Sequence, residues 1–236
     1  MKRLLIWLRN LLALCLIAVF VYCAVVTYQG YQLYREAVEA VPLSQKVEEV
    51  RSAEHYTKLT DISEYFIDAL VAVEDHRFFD HKGVELRSII RAVITNLNEG
   101  EYAEGGSTIT QQLAKNMYFS FEKKMPRKVA EALVAFDLER EYEKDDILEM
   151  YVNIIYFGDG YTGIWEAAQG YFGKAPAELD FDEATLLAGL PKAPSSYALS
   201  NGREKAEERQ EDVIEAMVLW GYVSEEEADG LLIEAR

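Results

Sequence analysis

The charges on this chain are unevenly spread, and that pattern predicts its elements. From Leu11 to Tyr28 there is no charged residue, and the uncharged run continues to Tyr34. Crossing the hydrocarbon core of a bilayer takes about 20 helical residues, so the run predicts a transmembrane helix over 11–34. Lys2, Arg3 and Arg9 precede it, while Arg35, Glu36 and Glu39 follow. Positive-inside asymmetry then puts a short tail, 1–10, in the cytoplasm and the rest outside, with Trp7 and Tyr28, Tyr31 and Tyr34 as interfacial anchors. A cleaved leader would have a shorter apolar core and an A-x-A site, so the run reads as a retained signal anchor. Residues 35–60 are charged and weakly patterned, which suggests a short helix and a juxtamembrane stalk.

From Asp61 to Arg236 the apolar positions recur at helical spacing. Asp61-Ile62-Ser63-Glu64 has the form of a capping box, followed by Phe66, Leu70 and Val73 on one face. A second helix is expected from Gly83 to about Asn98. A third begins after a Gly105-Gly106 turn with Ser107 as N-cap, and Pro126 suits the first turn of a fourth, running past Arg140. Residues 144–156, 164–172, 182–190 and 203–220 read as further helices, and Ser224 caps a last short one. No strand alternation is evident, so the fold class is all-α.

Composition narrows the partners. The chain has 236 residues, half of them apolar, and a formal net charge of −17. That charge argues against nucleic acid, whose phosphates it would repel. The cations that matter are therefore concentrated locally: Lys115, Lys123, Lys124, Arg127 and Lys128. Cys15 and Cys23 fall inside the apolar run and read as small apolar residues.

The candidate chemistry lies between residues 74 and 131. Glu74 follows Leu70 by four residues, so it projects near the apolar face, where partial loss of hydration makes a carboxylate a better base. His76 and His81 lack the i, i+4 spacing of helical zinc ligands and suit hydrogen bonding better. On the third helix Thr108, Gln112 and Lys115 form a polar stripe, fit for sugar hydroxyls and phosphate oxygens at a helix N-terminus. Glu131 follows Arg127 by four residues and Lys128 by three. That spacing fits ordinary ion pairs worth about 0.2–0.5 kcal/mol, or a second carboxylate beside cations that grip an anion. Ser120-Phe121-Glu122-Lys123 matches the Ser-x-x-Lys of penicillin-binding transpeptidases, but no Lys-Thr-Gly follows.

In this order, Glu74-Asp75-His76-Arg77-Phe78-Phe79-Asp80-His81-Lys82-Gly83, Gly105-Gly106-Ser107-Thr108-Ile109-Thr110-Gln111-Gln112 and Arg127-Lys128-Val129-Ala130-Glu131 resemble the signature blocks of peptidoglycan glycosyltransferases. The likeness extends through Ile147–Asn153, Tyr171–Lys174 and Leu186–Pro191 and covers roughly 60–220. It departs at Ala130, where the family usually has lysine, and at Ala198-Leu199, where Asn-Pro is common. The resemblance implies a lysozyme-like, two-lobed glycosyltransferase domain over 61–236, of the synthesis-only form without a transpeptidase domain. It implies polymerisation of lipid II into β-1,4-linked glycan strands at the outer face of the bacterial cytoplasmic membrane, with release of undecaprenyl pyrophosphate.

The resemblance assigns roles as well. Glu74 would be the general base and Glu131 the second catalytic carboxylate. Asp75, Phe78 and His81 would support the site. Ser107, Thr108, Gln111, Gln112, Lys115, Asn116, Lys123, Arg127 and Lys128 would contact substrate. Glu131 would position the cations or, indirectly, a divalent ion such as Mg²⁺ or Mn²⁺; no organic cofactor is implied. Partners would be lipid II, the growing strand, membrane lipid and other cell-wall synthesis or division proteins. The competing classes are a lysozyme-like lytic enzyme, which would not need the cationic run, and a non-catalytic membrane-tethered scaffold, which would have little use for Glu74 and Glu131 together.

Overall fold

The computed structural model describes residues 2–85, 87, 106–119 and 125–235. The helix expected from Gly83 to Asn98 lies largely outside these residues, as do Lys123 and the turn before Gly106. What is described is helical, as expected: α1 (Lys2–Ala40), α2 (Leu43–Arg51), α3 (Glu64–Asp75), α4 (Ile109–Tyr118), α5 (Met125–Glu141), α6 (Lys144–Ile154), α7 (Ile164–Phe172), α8 (Phe181–Gly189), α9 (Pro194–Tyr197), α10 (Arg203–Leu219) and α11 (Glu225–Ala235). The exception is a small antiparallel hairpin, β1 (Tyr156–Gly158) with β2 (Tyr161–Thr162). Its turn uses Gly158 and Gly160 at positive φ around Asp159, too short a feature to show as alternation.

The helices fall into two packing groups around one core. In one, α3 packs on α8 and α10, which also pack on each other; in the other, α4 packs on α5 and α6. Phe66, Ala69, Leu70 and Val71 of α3 and Ile109, Leu113, Val134, Leu138, Ile147 and Met150 of the second group belong to one continuous buried cluster. The hairpin and α7 lie against α6 and α9.

The first helix is longer than the anchor alone requires. Its 39 residues extend about 58 Å, nearly twice a typical hydrocarbon core. The apolar part has a mean hydropathy of 2.6 and is unburied, so α1 is long and apolar enough to cross a membrane. The remainder packs on α5. Val26, Gly30, Tyr34 and Val38, spaced by four, are the covered face, and the Tyr34 hydroxyl donates to Asp137 Oδ2 at 2.6 Å. Gly30 is the point of closest approach: a Cβ there would lie 2.5 Å from Val129 Cβ and 2.6 Å from Pro126 O.

Two local expectations are corrected. The expected stalk is not a free tether, because Leu43 and Val47 are buried in the core and Tyr118 donates its hydroxyl to Val41 O at 3.0 Å. The repeat of Leu43 and Val47 at i, i+4 was the available signal. Asp61 does not cap α3; it ends a 3₁₀ turn over Leu59–Asp61, and Ser63 is the N-cap. The turn wins because Glu149, on α6, accepts the Leu59 N–H at 3.1 Å and thereby fixes the backbone just before Asp61.

Gly30→Leu forces two helix backbones apart, and overpacking of this kind costs about 1–3 kcal/mol. Thermal unfolding of the full chain in detergent should show a lowered Tm, whereas Tyr28→Leu, at a position 64% exposed, should leave Tm unchanged.

Candidate active site

The site is built where the end of α3 meets the start of α4. Glu74 and Asp75 are the last residues of α3 and face different surroundings. Asp75 is buried; its Oδ2 accepts the Ile109 backbone N–H at 3.0 Å and lies 2.9 Å from His81 Nε2. A carboxylate at the first turn of a helix offsets unpaired N–H groups and the positive end of the dipole. Asp75 therefore ties the two packing groups together. His81 takes the hydrogen-bonding role expected of it, and His76 stacks on Trp220 with ring centroids 3.7 Å apart.

The N-cap of α4 is Thr108, not Ser107. Thr108 Oγ1 accepts from Gln111 N at 3.1 Å, and Gln111 Oε1 accepts from Thr108 N at 3.2 Å, a reciprocal capping box. The Thr108 hydroxyl donates to Gly83 O at 2.5 Å. Gly83 can present that carbonyl because its φ is +83°, in the region that favours glycine, with its Cα facing the Ala135 backbone of α5. Thr108 and Gln111 are thus buried and committed to the cap. Ser107, left outside it, accepts a hydrogen bond from Lys128 Nζ at 2.7 Å.

One turn into α4, Gln112 is half-buried and donates from Nε2 to Glu74 Oε2 at 2.6 Å. Its Oε1 accepts from the hydroxyl of Tyr151 on α6 at 2.9 Å. Tyr151 is fully buried; no sequence signal marks its hydroxyl as part of the site. Phe78 is also fully buried, with Lys144 Nζ 4.3 Å from its ring centroid. Asn116 is exposed, one turn beyond Gln112.

The second carboxylate lies on α5. Glu131 has no exposed surface, and its two oxygens lie 2.8 Å from Arg127 Nε and 2.8 Å from Lys128 Nζ. These are charge contacts without hydrogen-bond alignment at the Glu131 oxygens. The i, i+3 and i, i+4 pairs read from the sequence therefore do form, around a carboxylate sealed from solvent, with Arg127 largely buried and Lys128 41% exposed. Ala130 is fully buried as well, so that position belongs to packing.

Lys115 connects the two carboxylates. Burial holds its ammonium below the ordinary lysine value; Glu131 opposes that shift, Lys128 and Arg127 add to it, and Glu74 opposes it. One side chain thus lies in the field of both acids and both neighbouring cations. Glu74, Gln112, Lys115, Arg127, Lys128 and Glu131 gather around α4, where Gln112 meets Glu74 and Ser107 meets Lys128. A half-buried carboxylate and a cluster of positive charge thus adjoin one helix, an arrangement able to accept a proton at one end and hold an anion at the other.

Residues 41–218 match the family model described as Transglycosylase. The chain is 45% identical over 172 residues to penicillin-binding protein 1A of Aquifex aeolicus, covering 73% of this chain and 24% of that one. It is 43% identical over 170 residues to penicillin-binding protein 1F of Bacillus subtilis, covering 72% and 24%. It therefore spans about a quarter of the length of these penicillin-binding relatives. A Cupriavidus necator protein provisionally named a transglycosylase is 40% identical over 184 residues, which cover 78% of this chain and 79% of that protein.

Burial opposes the charge on Lys115, so at neutral pH the ammonium costs stability, and the cost is relieved as pH rises through its lowered value towards 10.5. Thermal unfolding should place Lys115→Met at or above the parent Tm at pH 7, with the difference shrinking at alkaline pH.

Proposed function

The chain belongs to the transglycosylase family, and from that membership we propose that it polymerises lipid II into β-1,4-linked glycan, releasing undecaprenyl pyrophosphate. Family membership supports glycosyl transfer and glycan synthesis in general; the substrate and the residue roles are our reading of the cleft. The observation that carries it is the geometry around α4: Gln112 Nε2 lies 2.6 Å from Glu74 Oε2, while Ser107, just before that helix, lies 2.7 Å from Lys128 Nζ, which is itself 2.8 Å from Glu131. The proposed base and the anion-holding cluster thus adjoin one helix.

Glu74 takes the proton of the acceptor sugar hydroxyl as that oxygen attacks the anomeric carbon of the donor. The bond to the lipid pyrophosphate breaks as the new glycosidic bond forms, and direct displacement turns an α linkage into a β one. The electron pair leaves with the pyrophosphate, whose growing charge is met by Lys115, Arg127 and Lys128. Lys123 belongs to the same cationic run. Preoriented charges in a cleft shielded from water are among the strongest sources of such stabilisation.

Glu131 suits the task of orienting Arg127 and Lys128. Each of its oxygens already contacts a cation, so it fits direct metal ligation poorly and no step here runs through a metal. A lytic enzyme would use a glutamate beside a sugar as well, but such hydrolysis has no pyrophosphate to hold, and the Arg127–Glu131–Lys128 cluster would be without purpose. With α1 in the bilayer, N-terminus inside, the cleft lies at the outer face, where the substrate's lipid tail is anchored.

Purified full-length protein incubated with lipid II, with and without Mg²⁺, should yield polymer. Glu74→Gln should lower turnover by on the order of 10²–10⁴-fold, the usual contribution of a general base, with Tm unchanged. Glu131→Gln should also lose most activity. Degradation of preformed glycan without polymer would refute the reading, and substantial turnover by Glu74→Gln would refute the base assignment.

A further inference from the structure

We infer that Tyr151 is a positioning residue for this reaction, its buried hydroxyl holding in place the Gln112 amide whose Nε2 meets the Glu74 carboxylate. The inference rests on Glu74 being the base. A glutamine amide has nearly the same shape with its oxygen and nitrogen exchanged, so hydrogen bonding must choose between the two orientations. In the wrong one, Oε1 would face the Glu74 carboxylate, acceptor against acceptor. Glu74, an acceptor only, takes Nε2 at 2.6 Å, and Tyr151 then holds the amide in that place by donating to Oε1 at 2.9 Å.

Tyr151 suits this task because it cannot readily move or ionise. Its side chain is fully buried on α6. Burial, with the negative charges of Glu74 and Asp75 added, holds the phenol well above its ordinary value, so it keeps its proton. Gln112 in turn occupies Oε2 of Glu74 and leaves Oε1 as the oxygen open to the acceptor's proton. Other charges near Glu74 are Lys115 on α4 and Asp75 beside it, and they are common to every variant below.

The test measures lipid II polymerisation by the full-length protein for Tyr151→Phe, Gln112→Met, the double variant and Glu74→Gln. Tyr151→Phe should lower kcat about tenfold, as a slightly misplaced catalytic group does, with KM nearly unchanged. The acid limb of its pH profile should move to higher pH, because the carboxylate loses a steady donor. Gln112→Met should reproduce that shift, and Tyr151→Phe should add nothing in the Gln112→Met background. A parental profile for Tyr151→Phe, or effects of the two substitutions that multiply, would overturn the inference. So would a parental profile for Gln112→Met, an outcome that decides the matter even if Tyr151→Phe folds poorly. Turnover retained by Glu74→Gln would instead remove the base assignment itself, so the two failures are distinguishable.

Discussion

The site depends on one buried ionic cap. Asp75 accepts the first N–H of α4 while paired with His81, and with the Gln112–Glu74 hydrogen bond it ties the end of α3 to the start of α4. Glu74 is its neighbour in sequence, so whatever fixes Asp75 also fixes where Glu74 can point. A hydrogen bond to a charged group contributes about 1.5–3 kcal/mol, and an orphaned buried partner costs a comparable amount. The cap is therefore strong enough to hold the two packing groups in register at the cleft.

Around that tie the two acids occupy opposite situations. Glu74 is half-buried and meets one neutral donor, Gln112. Glu131 is sealed from solvent between two cations. The first arrangement leaves a carboxylate oxygen accessible, and the second leaves none. Removing a single partner from a buried pair is costly because the other charge stays behind unpaired, so Arg127, Lys128 and Glu131 act as one unit. Lys115, between the two acids, is the member whose charge the fold opposes. Retaining a disfavoured charge at a cleft is characteristic of functional positions.

Much of this was legible in the chain itself. The helical repeat located nearly every described helix, and the spacing of Arg127, Lys128 and Glu131 gave the ion pairs directly. Most of what was missed depended on contacts distant in sequence. Ser107 and Thr108 are both good caps, and the signal that favours Thr108 is local, Gln111 three residues on completing a capping box, while the tertiary contacts with Gly83 O and Lys128 add to it. Asp61 has the local pattern of a cap, but Glu149 reaches back to the preceding backbone and forms a tighter turn. Tyr151 reads as one more aromatic on a buried face, and nothing within α6 shows that its oxygen meets Gln112.

The seam at Gly30 has a mechanical consequence. Because α1 is one unbroken rod gripped by α5, the anchor and the helix carrying Arg127, Lys128 and Glu131 tilt together. A membrane whose thickness differs from the apolar length of a helix changes that helix's tilt at modest cost. With α1 in a membrane, such a change of tilt would be passed directly to the helix that carries Arg127, Lys128 and Glu131.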